Sequence, residues 1–248
     1  MSHNIPQNVA RYWLSPTKFH SHLVHIREQG CQTILFHDLR NRMIGQTREA
    51  RTVVVTFDDG LVSDYEVAFG QLMESGMKAV FFLNTATVGQ EGYLNWNQIV
   101  EMQKYGMSIQ SHSRSHVDLT VLPASVLDAE LSESKYRLED RLGTCVDVLA
   151  APWGLLDRRV VQRALALGYR AVCSVRCLPA KPGSTTLTRI TLERDVTIKE
   201  FDGYLNGEMS TYGRRLSRGL LEGAMSIPRH FCQVLRCRLL KKRATACG

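Results

Sequence analysis

The chain alternates short apolar runs with amphipathic segments along most of its length. Residues 52–57 (TVVVTF) and 79–83 (AVFFL) are almost wholly apolar and rich in β-branched or aromatic side chains, which predicts strands buried on both faces. Residues 124–142 repeat leucine at helical spacing, and Gly143 follows as a stop. Repetition of the two patterns predicts βα units around a parallel sheet, closed as a barrel or doubly wound.

The same reasoning predicts the remaining elements of the body. Helices are expected over 16–29, 63–76, 95–106, 124–142, 157–167 and 197–205. Strands are expected over 31–36, 52–57, 79–83, 107–110, 146–150, 169–174 and 187–192. Ser63-x-x-Glu66 and Asn95-x-x-Gln98 have the spacing of capping boxes at helix starts. The sequence contains no internal repeat and no glycine-rich phosphate loop.

Charge divides the chain into a neutral body, residues 1–207, and a basic tail, residues 208–248. The tail holds nine Lys or Arg and two Glu, which accounts for the whole net charge of +7. Pro228 can open a helix with one apolar face, so we expect a basic amphipathic helical extension. Such a segment indicates an anionic membrane surface as partner, with a solvated extension as the alternative. We expect no nucleic-acid partner, because no binding motif accompanies the charge.

Composition favours a folded protein of the cytoplasm. Hydrophobic residues make up 44% of the chain and charged residues 22%, which is enough for a sizeable core and argues against wholesale disorder. No apolar run is long enough to span a bilayer, and the first residues lack the pattern of a secretory signal. The seven cysteines form no C-x-x-C pair and are expected to be reduced. We therefore expect a cytoplasmic location, or a peripheral one at the inner membrane face.

Residues that can carry chemistry directly follow three of the predicted strands. They are Asp58-Asp59-Gly60, Ser111-His112-Ser113-Arg114-Ser115-His116 and Ala151-Pro152-Trp153-Gly154. Taken singly, they could be a turn, a polar loop and a turn with a packed tryptophan. Because the carboxyl ends of parallel strands open on one face, an aspartate and two histidines should converge there. That is a ligand set for a catalytic zinc or similar divalent ion, and the second aspartate is left to act as a base.

In order and spacing, these segments resemble the successive motifs of the polysaccharide deacetylase (NodB-homology) family, carbohydrate esterase family 4. Flanking residues 15–30, 92–96 and 130–143 are similar to its exopolysaccharide-type branch, and the resemblance covers roughly 9–206. It implies a distorted (β/α) barrel of about seven parallel strands. It also implies metal-dependent hydrolysis of the acetamide of an N-acetylhexosamine, in a polysaccharide or lipid-linked sugar, with release of acetate.

The resemblance also assigns roles by position. Asp58 would be the general base, and Asp59, His112 and His116 would hold one divalent ion. Zinc is the favoured ion, with cobalt or nickel as alternatives. The substrate would contact the turn formed by Pro152, Trp153 and Gly154.

The chain departs from the family pattern at two positions. Many members carry an arginine that orients the base two positions before the motif proline, where this chain has Ala150. Many also carry a late Leu-x-His that protonates the leaving amine, whereas residues 187–192 contain no histidine. We expect Arg189 to pair with Asp58 in place of the missing arginine, with Arg194 as second choice and a surface ion pair as the plain alternative. The general acid stays unassigned.

Two other functions are compatible with these residues. Relatives of this fold hydrolyse amides or imides that are not sugars, and a degenerate member could bind carbohydrate without turnover. Release of acetate and of a free amine would separate these alternatives from the deacetylase.

Overall fold

The computed structural model describes residues 14–38, 51–175, 184–208, residue 211 and the backbone of 232–236. Seven parallel strands follow one another around the sheet in chain order. They are β1 (Gln32–Thr33), β2 (Thr52–Phe57), β3 (Ala79–Leu83), β4 (Ser108–Ser111), β5 (Val148–Ala150), β6 (Ala171–Val175) and β7 (Thr186–Thr191). Strand β8 (Cys232–Arg236) is antiparallel and pairs with both β7 and β2. This pairing closes the sheet into a ring, which confirms the barrel and excludes the doubly wound alternative.

Helices follow most of the strands and cover the outside of the sheet. They are α1 (Pro16–Glu28), a π-helix (Asp64–Phe69) that continues into α2 (Gly70–Glu74), α3 (Trp96–Lys104), α4 (Ala124–Leu142), α5 (Arg158–Ala166) and α6 (Ile198–Asn206). Two short 3₁₀ turns span Leu119–Val121 and Pro152–Gly154. Within the residues described, no helix combines the length and the apolar character needed to cross a bilayer.

Alternate residues of the strands face two different cores. Val53, Val55 and Phe57 of β2 pack with the helices in the outer core. Val54 belongs to a smaller cluster made only of residues from the strands and their ends, which fills the barrel interior. Every residue of β3 is buried, as expected for a strand covered on both faces. The barrel is therefore a packed structure, and its polar residues collect at the strand ends.

One of the two predicted capping boxes is present, and the other is not. Asn95 and Gln98 form the expected capping box, with Asn95 Oδ1 accepting the Gln98 N–H at 3.1 Å. Ser63 makes no such bond, because the following segment winds as a π-helix and Asp64 Oδ2 accepts the Leu61 N–H at 3.1 Å instead. The predicted strand over 31–36 is also too long, since residues 36–38 already begin a helix.

The predicted helix in the tail is wrong where the tail is described. Residues 232–236 form β8, because their main-chain groups pair with the otherwise open edges of β2 and β7. The rest of the predicted helix lies outside the described residues. The division of the chain at residue 207 and the anionic membrane partner stay predictions.

A buried histidine lies between the first and last helices of the body. His22 on α1 is 2% exposed and stacks on Phe201 of α6 at 4.3 Å between ring centroids. Among the residues described, neither of its ring nitrogens has a hydrogen-bond partner. Burial, followed by the neighbouring Lys18 and His25, lowers the pKa of His22 from 6.5 to about 4. His25 in turn pairs with Asp202 of α6 at 3.0 Å. The helix contact therefore requires His22 to be neutral.

We expect His22 to make the fold sensitive to acid. The unfolded chain takes up a proton at residue 22 near pH 6.5 and the folded chain only near pH 4. Stability should therefore fall as the pH drops through this window, by up to about 3 kcal/mol from this group. His22→Leu should remove that part of the loss in urea unfolding measured at pH 7 and pH 4.5. His20→Leu, at an exposed position of the same helix, is the control, and an equal effect of both changes would contradict the assignment.

Candidate metal centre

Strand β2 delivers two adjacent carboxylates to the mouth of the barrel. Asp58 is 3% exposed and Asp59 is 4% exposed. Asp59 has φ 76° and Gly60 has φ 71°, so the chain turns sharply at these two residues. A Cβ at Gly60 would press on the Leu83 side chain, so the turn requires glycine for space as well as for its backbone angle. Buried carboxylates need partners, because desolvation disfavours their charge.

Asp58 receives its partner from β7, which only β8 separates from β2 in the ring. The two terminal nitrogens of Arg189 donate separately to the two carboxylate oxygens of Asp58, at 2.6 and 2.9 Å. Arg189 is 0% exposed, lies over the Phe82 ring and also donates to Thr56 Oγ1 at 3.2 Å. Burial alone would raise the pKa of Asp58, but the Arg189 guanidinium and then His112 hold it below its usual value.

The contact expected between Arg189 and Asp58 is thus present, and it is buried rather than a surface pair. The second-choice residue, Arg194, is exposed, and its carbonyl accepts from Lys18 Nζ at 2.6 Å. The position of each residue relative to the barrel interior explains why Arg189 is buried and Arg194 is exposed. Arg189 is in the part of β7 that faces the interior, where a planar guanidinium can hold a carboxylate with two bonds.

Asp59, His112 and His116 form a compact cluster of three donor atoms. All three lie within 4.8 Å of one another. Asp59 Oδ1 is 3.3 Å from His116 Nε2 and 3.7 Å from His112 Nε2. His112 Nδ1 lies 2.7 Å from the Ala150 carbonyl oxygen, which can only accept, so Nδ1 carries the proton and Nε2 offers its lone pair to the cluster.

The charge state of His112 suits a ligand. Burial lowers its pKa, although the Asp58 carboxylate opposes that shift. The ring is therefore neutral at physiological pH, as a metal ligand must be. One carboxylate and two imidazoles, fixed on one side of a strand end, are the donor set of open catalytic sites for zinc and similar ions.

The two histidines meet through an irregular loop after β4. Ser113 has φ 65° and His116 has φ 56°, both in the left-handed region. The described residues contain four non-glycine positions of this kind, and all lie in the three motif segments. Each costs on the order of 1 kcal/mol or more, so the surrounding structure must hold them.

The turn after β5, Pro152–Gly154, lies beside the cluster at the mouth of the barrel. Trp153 is the fourth of these residues, with φ 55°, and its ring meets the His116 ring edge-on at 4.8 Å between centroids. A Cβ on Gly154 would collide with the backbone nitrogen of Val175, so this turn also requires glycine. Pro152 is buried and Trp153 is partly exposed. Trp153 is therefore fixed beside the cluster with part of its surface open.

Three residues at the site were missed by the sequence analysis. Asn84, directly after β3, donates to Asp59 Oδ1 at 3.1 Å. Glu130 and Ser134 of α4 hold the histidine loop, as described below. Asn84 follows the same rule as the other motifs, a polar residue after a buried strand, and could have been found. Glu130 carried one signal, an acidic residue on the leucine face of a helix.

Comparison with known proteins assigns this architecture to a family. The family model described as polysaccharide deacetylase matches residues 45–172, just over half of the chain. The chain belongs to the polysaccharide deacetylase family. This confirms the resemblance, while the finer assignment to the exopolysaccharide-type branch stays a prediction.

Three similar proteins match different fractions of this chain. YxkH of Bacillus subtilis (strain 168) is 27% identical over 155 residues, 62% of this chain and 55% of its own. A chitin deacetylase of Pestalotiopsis sp is 28% identical over 121 residues, 49% of this chain and 40% of its own. The chain thus spans about half the length of these curated relatives. The structure of the Streptococcus pyogenes deacetylase PplD in complex with acetate superposes with a TM-score of 0.73 and 23% identity, covering 83% of this chain and 92% of that one.

We expect the purified protein to hold about one divalent ion per chain at this cluster. His112→Ala removes one of three ligands, so most of the ion should be lost. The measurement is metal content by mass spectrometry after zinc loading and desalting. The control is His37→Ala, because His37 is an exposed histidine paired with Asp38. Full occupancy in His112→Ala would contradict the ligand set.

Proposed function

We propose that this deacetylase family member removes the acetyl group from an N-acetylhexosamine in a polysaccharide or lipid-linked sugar by metal-dependent hydrolysis. The observation that carries the proposal is one arrangement at the barrel mouth. A three-donor cluster lies beside a buried, ionised carboxylate that is not part of it. Asp58 Oδ2 is 3.8 Å from His112 Nε2, so the base and the ligands share one small space.

Asp58 is suited to accept a proton from the attacking water. Its lowered pKa keeps the carboxylate ionised at neutral pH. The fork of Arg189 fixes the plane of the carboxylate, and a base acts only within hydrogen-bond reach of its proton.

Asp59, His112 and His116 would hold the divalent ion, with zinc favoured by their donor types. When bound, such an ion supplies Lewis acidity towards an amide carbonyl and lowers the pKa of water. Trp153, fixed by His116 on one side and partly open on the other, is placed to contact the face of a sugar ring. Pro152 and Gly154 shape the turn that presents it.

Arg189 takes the place of the orienting arginine that position 150 lacks. The Ala150 side chain is part of the interior cluster, and its carbonyl positions His112. A cation from β7 reaches the same carboxylate because the interior of the barrel is narrow. We therefore propose that Arg189 is a positioning residue for the base Asp58.

The function is tested by acetate release from three kinds of substrate. They are N-acetylated oligosaccharides, lipid-linked N-acetylhexosamines and a simple amide that is not a sugar. We expect release of acetate and of a free amine from at least one sugar substrate, abolished by a chelator and restored by zinc. Turnover of the simple amide alone would favour the other hydrolase, and sugar binding without acetate release would favour a degenerate binding protein.

Arg189→Lys should separate base positioning from metal binding. Lysine keeps the charge but loses the two parallel bonds to Asp58. We expect kcat for acetate release to fall by about 10- to 100-fold, since a misplaced base loses much of its contribution. KM and zinc content should stay near wild type, because neither the ligands nor the turn at Trp153 is changed.

The matched control is Arg194→Lys, the same substitution at an exposed position near the end of β7. It should leave kcat unchanged. A normal kcat in Arg189→Lys would show that the pair with Asp58 has no role in the reaction. Loss of zinc along with kcat would assign Arg189 to the integrity of the whole site instead.

A further inference from the structure

Helix α4 contributes a buried carboxylate to the loop that carries both histidines. Glu130 is 4% exposed, and its carboxylate contacts two residues of this loop, Arg114 and Ser115. Its Oε2 accepts the backbone N–H groups of Arg114 at 3.1 Å and Ser115 at 2.9 Å. Its Oε1 accepts the Ser115 hydroxyl at 2.5 Å. A side chain of one helix therefore satisfies the main chain at the centre of the segment between the two ligands.

The same helix supports the start of the loop. Ser134, one helical turn after Glu130, shares a hydrogen bond with Ser111 Oγ at 2.8 Å. Ser111 Oγ also accepts the N–H of Ser113 at 3.2 Å, and Ser113 Oγ accepts the N–H of His116 at 3.2 Å. These contacts form a continuous chain of polar groups from α4 to the second histidine.

The loop needs this support because of its backbone. Ser113 and His116 lie in the left-handed region on either side of the two residues that Glu130 holds. Left-handed backbone in a residue with a side chain persists only where neighbouring contacts determine it. The conformation matters, because His112 Nε2 and His116 Nε2 can both face Asp59 only while the loop keeps it.

We propose that Glu130 is a positioning residue that holds the histidine loop in its metal-binding shape and thereby sets the affinity of the site. The inference rests on the metal site of the proposed function. Two oxygens of one carboxylate accept three bonds, and all the donors are N–H or O–H groups. A glutamine would bring one oxygen and an NH₂ group, and the NH₂ would face a donor. The role therefore requires two acceptor oxygens.

The chain offers a matched control on the same helix. Glu133 pairs with the Arg114 guanidinium at 2.8 Å and is half exposed, so it contacts the loop through a side chain and not through the backbone. Glu133→Gln makes the same chemical change in the same helix next to the same loop. Any effect of lost charge alone should appear in both variants, whereas an effect of the backbone contacts should appear only in Glu130→Gln.

The experiment measures zinc affinity by competition with a chromophoric chelator in wild type, Glu130→Gln and Glu133→Gln. We expect the zinc Kd of Glu130→Gln to rise by about 10- to 100-fold, as for other groups that orient metal ligands. Glu133→Gln should stay within about 2-fold of wild type. In metal-free Glu130→Gln, the backbone amides of 113–116 should exchange with deuterium faster than in wild type. At saturating zinc, kcat should recover and KM should be unchanged.

Ser115→Ala provides a second test if Glu130→Gln folds poorly. It removes only the hydrogen bond from the Ser115 hydroxyl to Glu130 Oε1. The zinc Kd should therefore rise by a smaller factor than in Glu130→Gln. Wild-type zinc affinity in both variants would overturn the proposal while leaving the metal site intact. An equal loss in Glu133→Gln would overturn it in favour of a general charge effect. Absence of zinc binding in the wild type would overturn both this inference and the proposed metal dependence.

Discussion

Burial of two adjacent carboxylates at the end of β2 is the constraint on which the rest of the site depends. Desolvation opposes the charge of both Asp58 and Asp59, so each must find compensation nearby. The two carboxylates are compensated by different groups. Asp58 is neutralised by Arg189 of β7, while Asp59 turns towards Asn84 and the two histidines. The left-handed backbone at Asp59 separates the two side chains, so one faces a fixed cation and the other faces the ligand cluster.

Rigidity around the cluster comes from strained turns held by buried polar contacts. Within the described part of the chain, the non-glycine residues in the left-handed region all lie in the motif segments, where local geometry serves the site rather than the stability of the chain. Helix α4 compensates for part of this strain through Glu130 and Ser134, which form hydrogen bonds with Ser115 and Ser111. The leucines of the same helix pack in the outer core, so Glu130 and Ser134 project from a helix that is fixed by buried contacts.

The cation that pairs with Asp58 comes from β7 and not from β5. With alanine at position 150, β5 offers only its carbonyl, which fixes the tautomer of His112. The cation comes instead from β7, whose interior-facing side chain crosses beneath the mouth and packs on Phe82. Both strands end at the same face of one narrow ring, so a long side chain from either can reach Asp58. The requirement is charge and bidentate geometry at the carboxylate, not a particular strand.

The local pattern of apolar and polar residues along the sequence determined most of the fold. Apolar runs predicted the bounds of β2 and β3, and leucine spacing predicted those of α4. Because parallel strands end on one face, the polar residues that follow buried strands predicted the site, namely Asp58, Asp59, His112 and His116. The pattern failed at β8, whose pairing depends on the open edges of distant strands and not on its own helical spacing. Only the tertiary structure decided that Arg189 is buried against Asp58 and that Glu130 holds the histidine loop. Those contacts join residues that are far apart in the chain or lie on separate elements, and closure of the barrel and docking of α4 bring them together.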